Sequence, residues 1–325
     1  MTEGDTMKRS SLAIKEVDRV EITTLMDNYV DVLLRSSEFV TRPAMSKSEE
    51  IPTDTLVAEH GLSQLVTVFS GAESHSILFD TGYTQSGVPH NLKQLGINLD
   101  AVEAIVLSHG HMDHTGSLYP ILENLRRPIT IVVHPEAFHA PRYFGLPDGR
   151  KLLFPSTLKR DELTRAGGEV LESAEPLLLG EGTVMVTGEI ERTTSFEQGL
   201  PNAVLERDGK EEKDPIRDDQ ALVINLKGKG LVVVSGCAHA GIVNTILYAK
   251  KITNVDHVHA VIGGFHLSGP VFEPIIEKTI EAFTDMDLEL IVPMHCTGWK
   301  AIQRFSESFP DAFVLNSVGS TFSLS

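Results

Sequence analysis

The 325-residue chain is poor in cysteine, with only Cys237 and Cys296, and in aromatic residues, at 6% with a single tryptophan. Two thiols cannot build a disulfide framework, and their scarcity fits a reducing compartment. No apolar run reaches the length needed to cross a bilayer, and the opening MTEGDTMKRSSLAIKEVD lacks the apolar core of a signal peptide. A cytoplasmic location is therefore expected. Positive charge is also scarce: 28 Lys and Arg stand against 45 Asp and Glu, a formal net charge of -17. Such a surface repels phosphate backbones and anionic membranes, which argues against nucleic-acid and membrane partners. An anionic small-molecule substrate is compatible with it, because bound divalent cations reverse the local potential of a cleft. Self-association into a homodimer is compatible as well.

The hydrophobic content of 41% and charged content of 22% are those of a globular chain able to bury a sizeable core. Residues 1–17 read as a polar leader and 18–325 as a single domain, since no linker divides it. Strands are expected from Val20 (VEITTLMDN), in QLVTVFSG and SHSILFDTG, over Ala104 to Leu107, and over Ile129 to Val133. Helices are expected over Pro89 to Leu95 and Thr115 to Leu125. The stretch 139–181 mixes turns and basic residues and reads as an insertion or lid over a site. Strands TVMVTG, QALVIN and LVVVSG follow, the last two joined as a hairpin through Lys227-Gly228-Lys229-Gly230. Three helix-then-strand steps complete the chain, ending in AFVLNS, so the expected fold class is α/β with mixed sheets covered by helices.

Chemistry concentrates in Ser108-His109-Gly110-His111-Met112-Asp113-His114, just after a buried strand. His109 and His111 are one residue apart and can point to the same side of an extended segment, while Gly110 and Gly116 allow a tight bend around an ion. Imidazole nitrogen and carboxylate oxygen suit zinc, iron and manganese alike. A polar capping loop is the competing explanation, but four ligand-type residues in six positions argue for a metal. Downstream, His239 in Cys237-Ala238-His239, His266 in Gly263-Gly264-Phe265-His266 and His295 beside Cys296 all follow short apolar strands, where α/β sheets place functional groups.

The His-x-His-x-Asp-His run resembles the first metal motif of the metallo-β-lactamase superfamily. That resemblance implies an αββα sandwich of four layers with two divalent metal ions along one edge, zinc first and iron or manganese as alternatives. By it, His109 and His111 hold one metal, and Asp113 and His114 the other. The chain departs from the commonest pattern afterwards: Thr187-Gly188-Glu189-Ile190 stands where a Gly-His turn is usual, and Ser235-Gly236-Cys237-Ala238-His239 where a bridging aspartate is usual. Either Glu189 or His239 can complete the first metal, and His239 is favoured. His295 is favoured for the second and His266 for substrate. Asp80 in Leu78-Phe79-Asp80-Thr81-Gly82 matches a position that orients a ligand histidine. His60 lies in a loop able to reach the site.

Five segments together are similar to a narrower branch, the 7,8-dihydropterin-6-methyl-4-(β-D-ribofuranosyl)aminobenzene-5'-phosphate synthase-like proteins. They are Glu59-His60-Gly61-Leu62-Ser63, residues 108–116, Gly236 to Ile242, Gly263 to Leu267, and His295 to Gly298. The expected activity is two-metal hydrolysis of a small ester, lactone or phosphoester, with Asp113 and His266 as catalytic groups. Alternatives are a phosphoribosyl-transferring synthase and a di-iron redox or ligand-sensing protein. Arg142, Arg150, Lys151, Lys159 and Arg160 in the insertion are candidates to close over an anionic group, against the plainer reading of a solvated basic face.

Overall fold

The computed structural model describes residues 12–46 and 49–325. Among these, two large sheets form, and their strands differ as their sequences do. Val258–Gly264 is buried at every position, as a strand covered on both faces must be. Arg19–Met26 alternates along most of its length. The first sheet has eight strands in the order Gly168–Glu172, Ile129–Val133, Val102–Val106, Glu73–Phe79, Ser63–Ser70, Arg19–Met26, Thr321–Leu324 and Val40–Thr41. The second runs Leu177–Leu179, Val184–Val186, Ala221–Leu226, Gly230–Ser235, Val258–Gly264 and Leu290–Met294, with Glu16–Val17 paired to Ala221–Leu226.

The sheets stack through Val20, Ile22, Phe79, Val106 and Phe322 of the first and Val184, Ile224, Val234, Ile262 and Val292 of the second. Outside the first sheet, Leu78, Ile105 and Ile131 pack on helices α1 (Gly87–Leu95), α3 (Leu118–Leu125) and α4 (Arg160–Arg165), while the single turn α2 (Met112–Thr115) precedes α3. Outside the second, Val233, Val261 and Ile291 pack on α5 (Ile242–Thr253), α6 (Ile276–Thr284) and α7 (Trp299–Ser308). The result is the four-layer αββα sandwich.

In the middle of each sheet the strands are parallel: Glu73–Phe79, Val102–Val106 and Ile129–Val133 in one, Gly230–Ser235, Val258–Gly264 and Leu290–Met294 in the other. Parallel neighbours end on the same side, so each sheet presents a row of carboxyl ends along one edge.

The structure corrects several boundaries. The first eleven residues of the expected leader lie outside the described residues, but Lys15 donates its N–H to Gly182 O at 2.8 Å and Val17 is fully buried between the sheets. The leader therefore ends before the chain reaches residue 15. The stretch 139–181 is not one excursion. Arg142–Gly145 and Lys151–Leu153 join Ala203–Arg207 and Lys210–Lys213 in a separate four-stranded sheet, whereas Gly168–Glu172 and Leu177–Leu179 are strands of the two main sheets. The helical turn after the histidine cluster begins at Met112 and so includes Asp113 and His114. AFVLNS makes only an isolated bridge, Phe313 to Ile291. The last strand is instead Thr321–Leu324, which pairs with Arg19–Met26.

Phe322 on that strand is fully buried whereas Ser323 is exposed. Phe322→Ala is expected to cost about 3–5 kcal/mol and lower the urea midpoint accordingly. Ser323→Ala should stay within about 0.5 kcal/mol. Equal effects would show that strand pairing, not side-chain burial, secures this element.

Candidate metal centre

The two rows of strand ends meet, and the loops leaving them carry the ligand-type side chains. Asp80 follows Glu73–Phe79, and residues 108–114 follow Val102–Val106. Cys237 and His239 follow Gly230–Ser235, His266 follows Val258–Gly264, and His295 follows Leu290–Met294. Gly110 and Gly116 serve close packing rather than unusual backbone angles. A Cβ on Gly110 would stand 2.5 Å from Ala137 O, and one on Gly116 would stand 1.9 Å from Tyr83 O.

His109, His111 and His239 form one buried group whose ligand-capable atoms lie within 4.8 Å of one another. The Nε2 atoms of His109 and His239 are 3.2 Å apart, and His111 Nε2 is buried without a hydrogen-bond partner. Burial, aided by the neighbouring imidazoles, holds His109 and His239 well below the ordinary histidine range, and burial takes His111 down to about 4 despite Asp113. All three rings are therefore neutral near pH 7, with nitrogen lone pairs available. A four-coordinate zinc with bonds of about 2.0–2.3 Å separates its ligand atoms by about 3.3–3.8 Å, close to the 3.2 Å between the His109 and His239 nitrogens.

Asp113, His114, Cys237 and His295 form the second buried group. Asp113 Oδ2 lies 3.3 Å from His295 Nε2 and 3.6 Å from His114 Nε2, which is itself 3.2 Å from Cys237 Sγ. The opposite edge of His114 donates from Nδ1 to Asp80 Oδ2 at 2.6 Å, leaving Nε2 to face the group. The other Asp80 oxygen accepts Ser108 N–H at 2.7 Å. Burial opposes charge on His114, but Asp80 and Asp113 prevail and raise it to about 9. A site that so favours a proton favours a cation in its place. Burial works to raise Asp113, yet His114 and His295 hold it well below the carboxylate range. Burial pushes the Cys237 thiol up, so its proton leaves only under a cation's pull.

Cys237 also joins His239 and His266 in a third such group, so it sits where the first two meet. His266 lies between His239, tilted at 52°, and the edge-on ring of Phe272, with ring centroids 4.3 and 4.5 Å away. A pocket of about 140 Å³ lined by Phe196, Glu197, Phe265 and Phe272 opens beside it. His60 lies at the mouth, its side chain 63% exposed and Nε2 3.8 Å from Asp113 Oδ2. The two cysteines are free thiols, with Cys296 Sγ donating to Cys237 O at 3.3 Å. Four of the residues leaving strand ends, Asp80, Ala238, His266 and His295, have left-handed backbone, with φ of 60°, 58°, 48° and 52°. Non-glycine residues hold that conformation at a cost of about 1–2 kcal/mol each.

Glu189 does not join these groups. The chain turns at Gly188 (φ 65°), Glu189 N–H goes to Ala174 O, and the carboxylate faces Arg217 at 3.5 Å. It lines a separate cavity of about 950 Å³ that contains none of the gathered histidines. Nor do the five basic residues of the 139–181 stretch reach over the site. Arg142 is buried on Asp218 and Asp214, and Arg150, Lys151, Lys159 and Arg160 pair with Asp148, Glu211, Glu162 and Glu172. The stretch instead contributes Phe154, stacked on His111 at 4.6 Å and 2°.

Sequence reading missed Phe154 and Asp27. Asp27 Oδ1 accepts His295 N–H at 2.8 Å, and Asn28 Nδ2 donates to His295 O at 2.8 Å. The only signal was a polar Met26-Asp27-Asn28 step at the end of an apolar strand.

Paired sheets with histidine, carboxylate and thiol side chains gathered where their strands end define a class of metal-binding α/β sandwich. The chain belongs to the metallo-beta-lactamase superfamily, whose family model matches residues 61–234. It is 33% identical, over 92% of its length and 95% of the relative's, to the 7,8-dihydropterin-6-methyl-4-(beta-D-ribofuranosyl)-aminobenzene-5'-phosphate synthase of Methanocaldococcus jannaschii. An uncharacterized protein of that organism is 32% identical over 81% of this chain and 92% of its own. The crystal structure of a metal-dependent hydrolase of the beta-lactamase superfamily matches with a TM-score of 0.68 and 27% identity, covering 94% of this chain and 98% of that one. Among the described residues, no helix is long and apolar enough to cross a membrane.

Elemental analysis of the desalted protein is expected to find divalent metal in the wild type. His111→Ala should lose it from the first group and Asp113→Ala from the second. A wild type holding no more metal than either variant would remove the basis for a metal centre here.

Proposed function

We propose that this chain is a hydrolase using two divalent cations, zinc foremost, to open a small ester, lactone or phosphoester. The observation carrying this reading is the pair of adjoining buried groups, His109/His111/His239 and Asp113/His114/Cys237/His295. Divalent cations bound there would polarise a substrate C=O or P=O and acidify a water molecule. The Asp113 carboxylate, held ionised, would help hold a cation and orient that water. His266 Nδ1 is buried without a hydrogen-bond partner and stands at the pocket floor, suited to protonate a leaving group or to hydrogen-bond a developing oxyanion. Phe154 against His111 and Phe272 against His266 keep bulk water from the reacting atoms. The net charge of -17 supports a small molecule over a nucleic acid as substrate, and a cytoplasmic setting agrees with two free thiols.

A second reading rests on the 33% identity to a protein named as a synthase, spanning nearly the whole of both chains. In that case the same side chains would promote attack by an aminobenzoate ring carbon at the anomeric carbon of a phosphoribosyl diphosphate, with pyrophosphate leaving that carbon and carbon dioxide leaving the ring.

The metal-loaded protein should be assayed against esters, lactones and phosphoesters, and separately for pyrophosphate release from a phosphoribosyl donor with p-aminobenzoate. The hydrolase reading expects turnover in the first assay, lost on chelation and restored by zinc. His266→Asn should lower kcat by about 100-fold, with metal content unchanged. Pyrophosphate release without hydrolysis of any ester would transfer the assignment to the synthase, and metal-independent turnover would sink both.

A further inference from the structure

The first ligand group draws His109 and His111 from one sheet and His239 from the other, so something must fix the distance between the sheets at this edge. A tripeptide with no ligand of its own spans the gap. Asp218, Asp219 and Gln220 are 0%, 2% and 1% exposed and immediately precede the strand Ala221–Leu226. That strand pairs antiparallel with Gly230–Ser235, the strand that delivers Cys237 and His239. Asp218 Oδ2 accepts the N–H of Gly110, between the two first-sheet histidines, at 2.8 Å. Asp219 Oδ2 accepts the N–H of Ala240, next to His239, at 2.7 Å. Gln220 donates its backbone N–H to Ser108 O at 2.9 Å and its Nε2 to Leu107 O at 2.8 Å.

We infer that Asp218-Asp219-Gln220 is a positioning clamp that sets the spacing of His109, His111 and His239 before any metal binds. The inference rests on the metal-centre reading above and adds residues with no ligand role to it. Two features make the clamp stiff. Arg142 grips Asp218 with Nη1 and Nη2 at 3.1 and 2.7 Å, which fixes the carboxylate that holds Gly110. On the other side Glu197 accepts the N–H groups of Val243 and Asn244 at 2.9 and 2.8 Å, anchoring the start of α5 just after the His239 turn. The turn is thus tied at both ends by buried carboxylates, one of which shares a peptide bond with the residue tying His109 and His111. The second ligand group has separate ties, Asp80 on His114 and Asp27 on His295. The clamp should therefore govern one group and not the other.

The test titrates cobalt(II) into metal-free protein against a chelator in two backgrounds, Asp113→Ala, where the nitrogen-only group is read alone, and His111→Ala, where the group containing Cys237 is. Asp219→Ala removes the acceptor for Ala240 and is expected to weaken the nitrogen-only group by about 10–100-fold, leaving the thiolate group within a few-fold of wild type. Asp219→Asn keeps an oxygen for that N–H, so this variant should bind nearly as wild type does. Equal weakening of both groups, or of neither, overturns the inference. Should Asp219→Ala fail to fold, hydrogen exchange on the metal-free wild type decides: the Gly110 and Ala240 amides are expected to stay protected when metal is removed, and exchange at the rate of an open loop overturns the clamp. A wild type that takes up no cobalt would instead refute the metal-centre reading, with the exchange result still deciding the clamp.

Discussion

Everything at the metal edge depends on the face-to-face stacking of two sheets through valine, isoleucine and phenylalanine. That dry interface, from Val20 and Phe79 on one side to Val234 and Val292 on the other, fixes the tilt and separation of two sets of parallel strands. Because parallel strands end together, the interface decides where seven ligand-type side chains from three loops converge. Neither sheet holds a complete group, since His109 and His111 come from one sheet and His239 from the other, as Asp113 and His114 come from one and Cys237 and His295 from the other. The hydrophobic effect, which has no directionality of its own, thus acts on the metal edge through strand geometry.

Convergence has an energetic cost, visible in left-handed backbone at Asp80, Ala238, His266 and His295 and in buried imidazole nitrogens without partners. Hydrogen bonds from outside the ligand set hold these segments in place. Asp80 orients His114, and Asp27 with Asn28 fixes the backbone of His295. A cation supplies what the unpartnered nitrogens lack, so metal binding and local stability are linked. Cys237 sits at the junction of the groups, where a thiolate, being soft, would favour zinc or iron over magnesium or calcium.

The fold and half of the site were legible in the sequence, for definite reasons. The run from His109 to His114 packs its ligands into consecutive positions, and local spacing suffices to read it. Continuous apolar runs such as Val258–Gly264 announce buried parallel strands without reference to anything distant. Thr321–Leu324 was not read, because a four-residue strand carries too little periodicity and is defined by its partner Arg19–Met26. The 139–181 stretch was read as one unit because its strands are short and divided among three sheets. Its basic residues suggested an anion clamp because pairing is not visible in sequence: Asp148, Glu162 and Glu172 of the same stretch neutralise three of them, and Glu211, Asp214 and Asp218 from elsewhere the other two. Glu189 was drawn in by its place in a motif, while the turn at Gly188 sends it to Arg217. Residues that act by accepting N–H groups from distant segments, Asp27 among them, leave almost no mark on sequence, since any acidic loop residue looks the same.

The strand Thr321–Leu324 lies between Arg19–Met26 and Val40–Thr41, joining the two extremes of the described chain in one ladder. Arg19–Met26 therefore keeps one edge unsatisfied until the chain has been made about 300 residues further, to Thr321–Leu324, a contact order that slows folding. His295 is translated shortly before that strand, so the metal edge and the first sheet are completed almost together.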